Sequence, residues 1–139
     1  MNISEKGLNL LKEFEGLRLT AYQCQAGVWT IGYGHTKGVK KGDKITEKEA
    51  EEYLIKDIAN VQKELNKYML PINQNQYDAL VSFFFNVGSA RIPSFIPFIR
   101  SSGTADETAK MAKYIFAGKI KSKGLQNRRN KELSLYLTV

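Results

Sequence analysis

The stretch from Leu17 to Lys44 constrains this chain more than any other. Its β-formers Tyr22, Val28, Trp29, Thr30, Ile31, Tyr33 and Val39 are separated by Gly27, Gly32, Gly34, Gly38 and Gly42. Tight turns favour such glycines and a helix does not, so the region is expected to be a small twisted antiparallel sheet. Helical spacing surrounds it. Ser4 reads as an N-cap for a short helix that carries Leu8, Leu11 and Phe14 on one face and stops at Gly16. Thr46-Glu47-Lys48-Glu49 is a capping box opening an amphipathic run of Ala50, Tyr53, Leu54, Ile58, Val61, Leu65 and Tyr68 that ends before Pro71. A helix of about 20 residues is ~30 Å long, enough to join two lobes. Asn73 and Gln76 open the next helix, through Tyr77, Leu80, Val81 and Phe84, which breaks at Asn86-Val87-Gly88. Its Phe83-Phe84-Phe85 run asks for burial on nearly all sides. Further helices are expected at Ser94 to Arg100, Asp106 to Phe116 and Leu125 to Tyr136. Pro71, Pro93 and Pro97 read as loop residues, and a basic loop is expected from Gly118 to Gly124.

The expected fold class is therefore α+β: one mostly helical domain over residues 1–139, with a small antiparallel sheet after the first helix. It divides into a β lobe of about 17–45, a helical lobe of 1–16 plus about 70–139, and a connecting helix of about 47–68. The 42% hydrophobic content, with seven Phe, seven Tyr and one Trp, supports a real core and excludes disorder. Cys24 is the only cysteine and His35 the only histidine, which rules out an internal disulfide and a Cys/His zinc cluster. No metal or cofactor is expected. Residues 1–7 hold no apolar run suited to a signal sequence, and nothing approaches a membrane span, so a soluble protein made in the cytoplasm is expected. A formal charge of +7 points to an anionic partner. Nucleic acid, an anionic membrane and an acidic cell-wall polymer fit that charge equally well.

On a helical wheel Glu15 falls between Leu8 and Leu11, whereas Glu13 falls near Asn9 on the opposite side. A carboxyl group on the apolar face is costly to ionise, and a protonated carboxyl is what a general acid needs. The other reading is a helix-end carboxylate that frays into water or pairs with Arg18.

The residues that follow, Glu15-Gly16-Leu17-Arg18-Leu19-Thr20-Ala21-Tyr22, then Cys24, then Trp29-Thr30-Ile31-Gly32-Tyr33-Gly34-His35-Thr36, resemble the phage-type lysozymes, the endolysin muramidases of glycoside hydrolase family 24. That family's signature is a Glu ending the first helix, eight residues, an Asp or Cys, five residues and a Thr, matched here by Glu15, Cys24 and Thr30. The likeness runs on through Leu80-Val81-Ser82-Phe83, Asn86-Val87-Gly88 and Gly124-Leu125-Gln126-Asn127-Arg128-Arg129 with Glu132, so it covers almost the whole chain. It implies a lysozyme-like fold with a cleft between the lobes. The implied activity is hydrolysis of the β-1,4 bond between N-acetylmuramic acid and N-acetylglucosamine in bacterial peptidoglycan. Glu15 would then be the acid, with Cys24 and Thr30 on the other side of the sugar.

Cys24 stands where the family more often has Asp. A thiol near its free pKa of about 8.5 is mostly neutral at pH 7, and base, nucleophile, water ligand or buried apolar filler all remain open for it. Thr30 can hold a water through its hydroxyl, or be an ordinary strand residue. Arg128 and Arg129 share a face of the last helix with Leu125, Glu132 and Tyr136. The resemblance implies that Arg128 reaches the catalytic Glu, while an Arg128–Glu132 pair four residues apart is the local alternative. His35, in a glycine-rich turn, is expected to be structural. Tyr33, Gly34 and Asn86 are candidate sugar contacts, or equally ordinary core or turn residues. The runs Lys37, Lys40, Lys41, Lys44 and Lys119, Lys121, Lys123 are either solvated faces or a basic surface for an anionic wall polymer.

The resulting expectation is a monomeric, cofactor-free muramidase acting on peptidoglycan, with no nucleic-acid partner and no membrane insertion. It would be phage or prophage encoded and would reach the cell wall through a membrane pore. Two alternatives stand beside it. One is a lytic transglycosylase using Glu15 alone; the other is a non-catalytic basic wall-binding module.

Overall fold

The computed structural model describes residues 1–24, 26–101, 105–117 and 119–139. Helix α1 (Glu5–Glu15) leads into an antiparallel pair, β1 (Arg18–Gln23) and β2 (Trp29–Gly32). Helices α2 (Glu47–Asn66), α3 (Gln74–Val87), α4 (Ile92–Arg100) and α5 (Ala105–Ala112) follow, with a 3-10 turn at Ser89–Arg91. A second antiparallel pair, β3 (Phe116–Ala117) and β4 (Ile120–Lys121), precedes α6 (Lys123–Tyr136). The class is α+β and mostly helical, as the sequence indicates. Among the described residues no single helix is long and apolar enough to cross a membrane.

The chain forms two compact units, Asn9–Asn60 and Met1–Leu8 with Val61–Val139. In the first, Leu11, Ile31, Tyr33, Ala50, Leu54 and Ile58 are buried. Tyr22 pairs with Thr30 and Gln23 with Trp29, and the register slips between Arg18 and Tyr22. The other edge of β1 is filled by residues 43–45, with Ala21 N–H donating to Asp43 O and Ile45 N–H to Leu19 O, both at 2.9 Å. Thr46 then caps α2: Glu49 N–H donates to Thr46 Oγ1 at 3.2 Å, and Thr46 N–H to Glu49 Oε1 at 3.1 Å.

In the second unit, α3 is buried continuously from Tyr77 to Phe84 and packs most extensively on α6. Phe83, Phe84, Phe95 and Tyr114 form an edge-to-face aromatic cluster with centroids 5.1 to 5.3 Å apart. Asn73 and Gln76, which the sequence places at the start of this helix, form a capping box at 2.8 and 2.9 Å. Ser4 caps α1, accepting from Gly7 N–H at 3.1 Å, and its own N–H and hydroxyl both donate to buried Asp78.

Three expectations need correction. Pro93 and Pro97 lie inside α4, which begins at Ile92, not Ser94. Pro93 sits in the first turn, where the missing N–H has no helical partner anyway, and burial of Ile92, Phe95, Ile96 and Ile99 outweighs the propensity cost of Pro97. Helix α5 ends at Ala112, and Phe116 belongs to a second sheet that periodicity did not announce. The basic loop is thereby replaced: Ser122 accepts from Leu125 N–H at 3.1 Å and starts α6, so Gly124 is helical. Gly118, the other end of that loop, lies outside the described residues.

Gly7 is close-packed, since a Cβ there would lie 2.6 Å from Asp78 Cγ and 2.8 Å from Ile3 Cγ1. Alanine in a helix interior normally gains about 1 kcal/mol over glycine. Here the collision with a hydrogen-bonded carboxylate decides the sign. Gly7→Ala is expected to lower the urea midpoint without changing the slope of the transition.

Candidate active site

Helix α1 ends as Gly16 N–H donates to Lys12 O at 2.9 Å. Glu15 in this last turn is half-buried, whereas Glu13 is exposed, as the wheel requires. A Cβ on Gly34 would lie 2.7 Å from Glu15 Oε1, so the carboxyl group rests directly against the backbone of residue 34. Gly34 also has φ +80, a conformation other residues rarely adopt. The loop is pinned by its neighbour. His35 exchanges two backbone hydrogen bonds of 2.9 Å with Ile31, and its Nδ1 lies 2.8 Å from Asp57 Oδ2 on α2. Its ring stacks on Tyr53 with centroids 4.4 Å apart. Tyr33, read as either a sugar contact or a core residue, is buried, with Lys12 Nζ 5.8 Å from the ring centroid. Neighbouring Lys12 is held in turn by Glu51 at 3.1 Å.

Cys24 closes the β1–β2 turn: its N–H donates to Val28 O at 3.0 Å and its carbonyl accepts from Gly27 N–H at 2.8 Å. Backbone hydrogen bonds from Val28 and then Ala26 hold the thiol pKa below its ordinary value against a smaller opposing burial effect, with a lesser contribution from the Thr30 hydroxyl. Thr30 is buried and its Oγ1 also donates to Val28 O at 3.0 Å. A hydroxyl has one proton, so it serves either the carbonyl or the sulfur at any moment. The structure thus brings Cys24 and Thr30 together, and Glu15 and Gly34 together, within one unit.

Arg128 and Asn86 belong to the other unit. Arg128 donates from Nε to Glu132 Oε2 at 3.1 Å and from Nη2 to Ser82 O at 3.0 Å, so the local pair named as the alternative for Arg128 is present. Ser82 Oγ donates to the same Glu132 oxygen at 2.5 Å, and Arg129 Nη1 lies 3.0 Å from Glu132 Oε1. Burial raises the Glu132 pKa even so, with both arginines opposing. Burial also lowers Arg129 to about 10, opposed by Glu132. Asn86 is exposed and accepts from Arg129 Nη2. All seven lysines of the two basic runs are exposed.

The phage lysozyme family model matches residues 12–132. The chain belongs to the phage lysozyme family. This lysozyme is 42% identical to the endolysin of Acyrthosiphon pisum secondary endosymbiont phage 1, over 98% of each chain. It is 39% identical to the endolysin of Bacillus phage PZA, covering 98% of its own length and 55% of that protein's. Among solved structures it superposes on the endolysin from Escherichia coli O157:H7 phage FAHEc1 with TM-score 0.90 and 39% identity, covering 99% and 94% of the two chains. The muramidase domain of SpmX from Asticaccaulis excentricus gives TM-score 0.82 at 34% identity, covering 99% of each. Family membership makes the protein a peptidoglycan-hydrolysing enzyme.

Sequence reading missed Tyr53 and Asp57, which hold the lysozyme's His35. Their signal was a carboxylate four residues after an aromatic on one face of a long helix. Ser82 was quoted only as part of a motif; a lone hydroxyl inside the apolar run Leu80 to Phe85 was its signal.

Two outcomes follow from this geometry. Gly34→Ala is expected to displace Glu15 and cut wall clearing more than tenfold, with a stability loss of about 1–3 kcal/mol. Gly38→Ala carries the same kind of backbone penalty (φ +75) but meets nothing within 4 Å, so it should keep turnover, as a paired turbidity and circular dichroism assay would read. For Cys24, a lowered pKa means that folding favours the thiolate. Stability from this group is present above the unfolded pKa and lost as pH falls through the folded one. The alkylation midpoint of Cys24 should therefore lie at lower pH in the native protein than in the urea-unfolded chain.

Proposed function

We propose that this lysozyme cleaves the β-1,4 bond between N-acetylmuramic acid and N-acetylglucosamine, with Glu15 as general acid. The observation that carries the assignment is the seat of the Glu15 carboxyl against Gly34, where glycine both permits φ +80 and leaves room for the oxygen. In this reading Glu15 gives its proton to the leaving glycosidic oxygen as the bond to C1 breaks. A water held by Cys24 forms the new bond to C1 and passes a proton to the thiolate; the thiol then releases that proton to solvent, and solvent returns one to Glu15. Thr30 acts through the sulfur, its hydroxyl turning from Val28 O to stabilise the thiolate. Hydrogen bonds from Val28 and Ala26 hold the Cys24 pKa below its ordinary value, which favours the thiolate in the role of the carboxylate more usual at this position. Gly34 offers backbone to the substrate, and Asn86 is a substrate contact in the helical unit. The seven exposed lysines favour approach to an anionic wall, an effect that salt weakens.

A zymogram with purified peptidoglycan tests the acid. Glu15→Gln should lose clearing by 100-fold or more, in the range general acids contribute, while keeping its circular dichroism spectrum. Cys24→Asp should retain measurable turnover and Cys24→Ser should fall at least tenfold below wild type. Full activity of the serine variant would remove the thiolate from the mechanism. Products with reducing N-acetylmuramic acid ends support hydrolysis, and anhydromuramyl ends by mass spectrometry would overturn it in favour of transglycosylation.

A further inference from the structure

Asn86 lies in the last turn of α3 with its side chain exposed, and its Oδ1 accepts from Arg129. A guanidinium carries donors only, so it dictates which end of the carboxamide faces it. Arg129 has little freedom to leave: it is 1% exposed, its Cζ lies 4.8 Å from the Phe83 ring centroid, and Nη1 is 3.0 Å from Glu132. With Oδ1 turned inward, the Nδ2 amino group is presented outward as a donor of fixed direction. An asparagine free to rotate would offer either end, and would have to be ordered each time a ligand bound.

We infer that Arg129 is a positioning residue that holds Asn86 as a one-way hydrogen-bond donor to an amide carbonyl oxygen of the substrate. The inference rests on Asn86 touching substrate in the reading above. Two groups on peptidoglycan carry that oxygen, the N-acetyl group and the attached peptide.

Kinetics on soluble peptidoglycan fragments, beside thermal melts, test it. Asn86→Asp keeps an acceptor for Arg129, now charged, and loses the outward donor. Its melting temperature should match or exceed wild type, while KM rises about three- to tenfold, as for one lost hydrogen bond, and kcat stays within twofold. Asn86→Leu should show the same rise in KM, which assigns the effect to the lost donor and not to a new negative charge. Arg129→Met should raise KM similarly, and Arg129→Lys, still only a donor, should restore most of it. Repeating the Asn86→Leu comparison on de-N-acetylated and on peptide-free fragments names the oxygen, because the penalty disappears on the fragment that lacks it. An unchanged KM in both Asn86 variants, with an active wild type, overturns the inference alone, as would Arg129 variants that differ only in melting temperature. Should Arg129→Met fail to fold, the Asn86 pair decides. A wild type inactive on every fragment overturns the lysozyme reading and this inference with it.

Discussion

Glu15 can keep its carboxyl against residue 34 only because that position carries no Cβ. The glycine-spaced stretch that announces a sheet therefore has a second physical purpose: it brings backbone, not side chain, up to the end of α1. The approach is then fixed from behind. His35 is tied to Asp57 and stacked on Tyr53, so the loop that carries Gly34 is anchored to α2, a helix whose start is itself capped by Thr46 and Glu49. A chemically simple contact between an oxygen and a backbone carbon thus depends on a histidine, an aromatic ring and a helix cap.

The helical unit meets a different constraint, the burial of charge. Glu132 is fully buried, and its retention requires Arg128, Arg129 and the Ser82 hydroxyl together. Taking one partner from such a group leaves an uncompensated charge and is costly, whereas a well-packed apolar replacement of the whole group need not be. Arg129 shows why a polar cluster is of use here: one of its nitrogens meets Glu132 and another meets the exposed Asn86, so a buried charge fixes the aim of a surface amide.

Much of this was legible in the sequence because the signals were local. The Ser4, Thr46 and Asn73 caps and the Arg128–Glu132 pair each depend on residues within four positions of one another, and the Glu15 face of α1 on residues within two helical turns. What was not legible depends on distant partners or on weak periodicity. An alternating strand pattern that ends in glycines leaves Tyr33 open between core and surface, and only the packed unit buries it. Strands of two residues, Phe116–Ala117 and Ile120–Lys121, are too short to show any period, so the segment passed for helix and loop. The prolines suggest loop while the Ser94 to Arg100 spacing suggests helix, and the four apolar side chains that α4 buries decide for helix through Pro97. For Glu15, Cys24 and Thr30 the residue types came from spacing and family resemblance, while the thiol's hydrogen-bond donors became visible only in the folded turn.

The hook between Ser4 and Asp78 has a kinetic meaning. Its two partners are 74 positions apart, and they close the N-terminus of α1 with hydrogen bonds to a side chain on α3. During synthesis the first turn of α1 lacks these anchors until residue 78 has been made, although its last turn carries Glu15. A contact of such long sequence separation also closes a large loop, whose entropy must be lost before the bond contributes. The Ser4 end of α1 is therefore translated long before Asp78 and is among the last parts of this lysozyme to be secured.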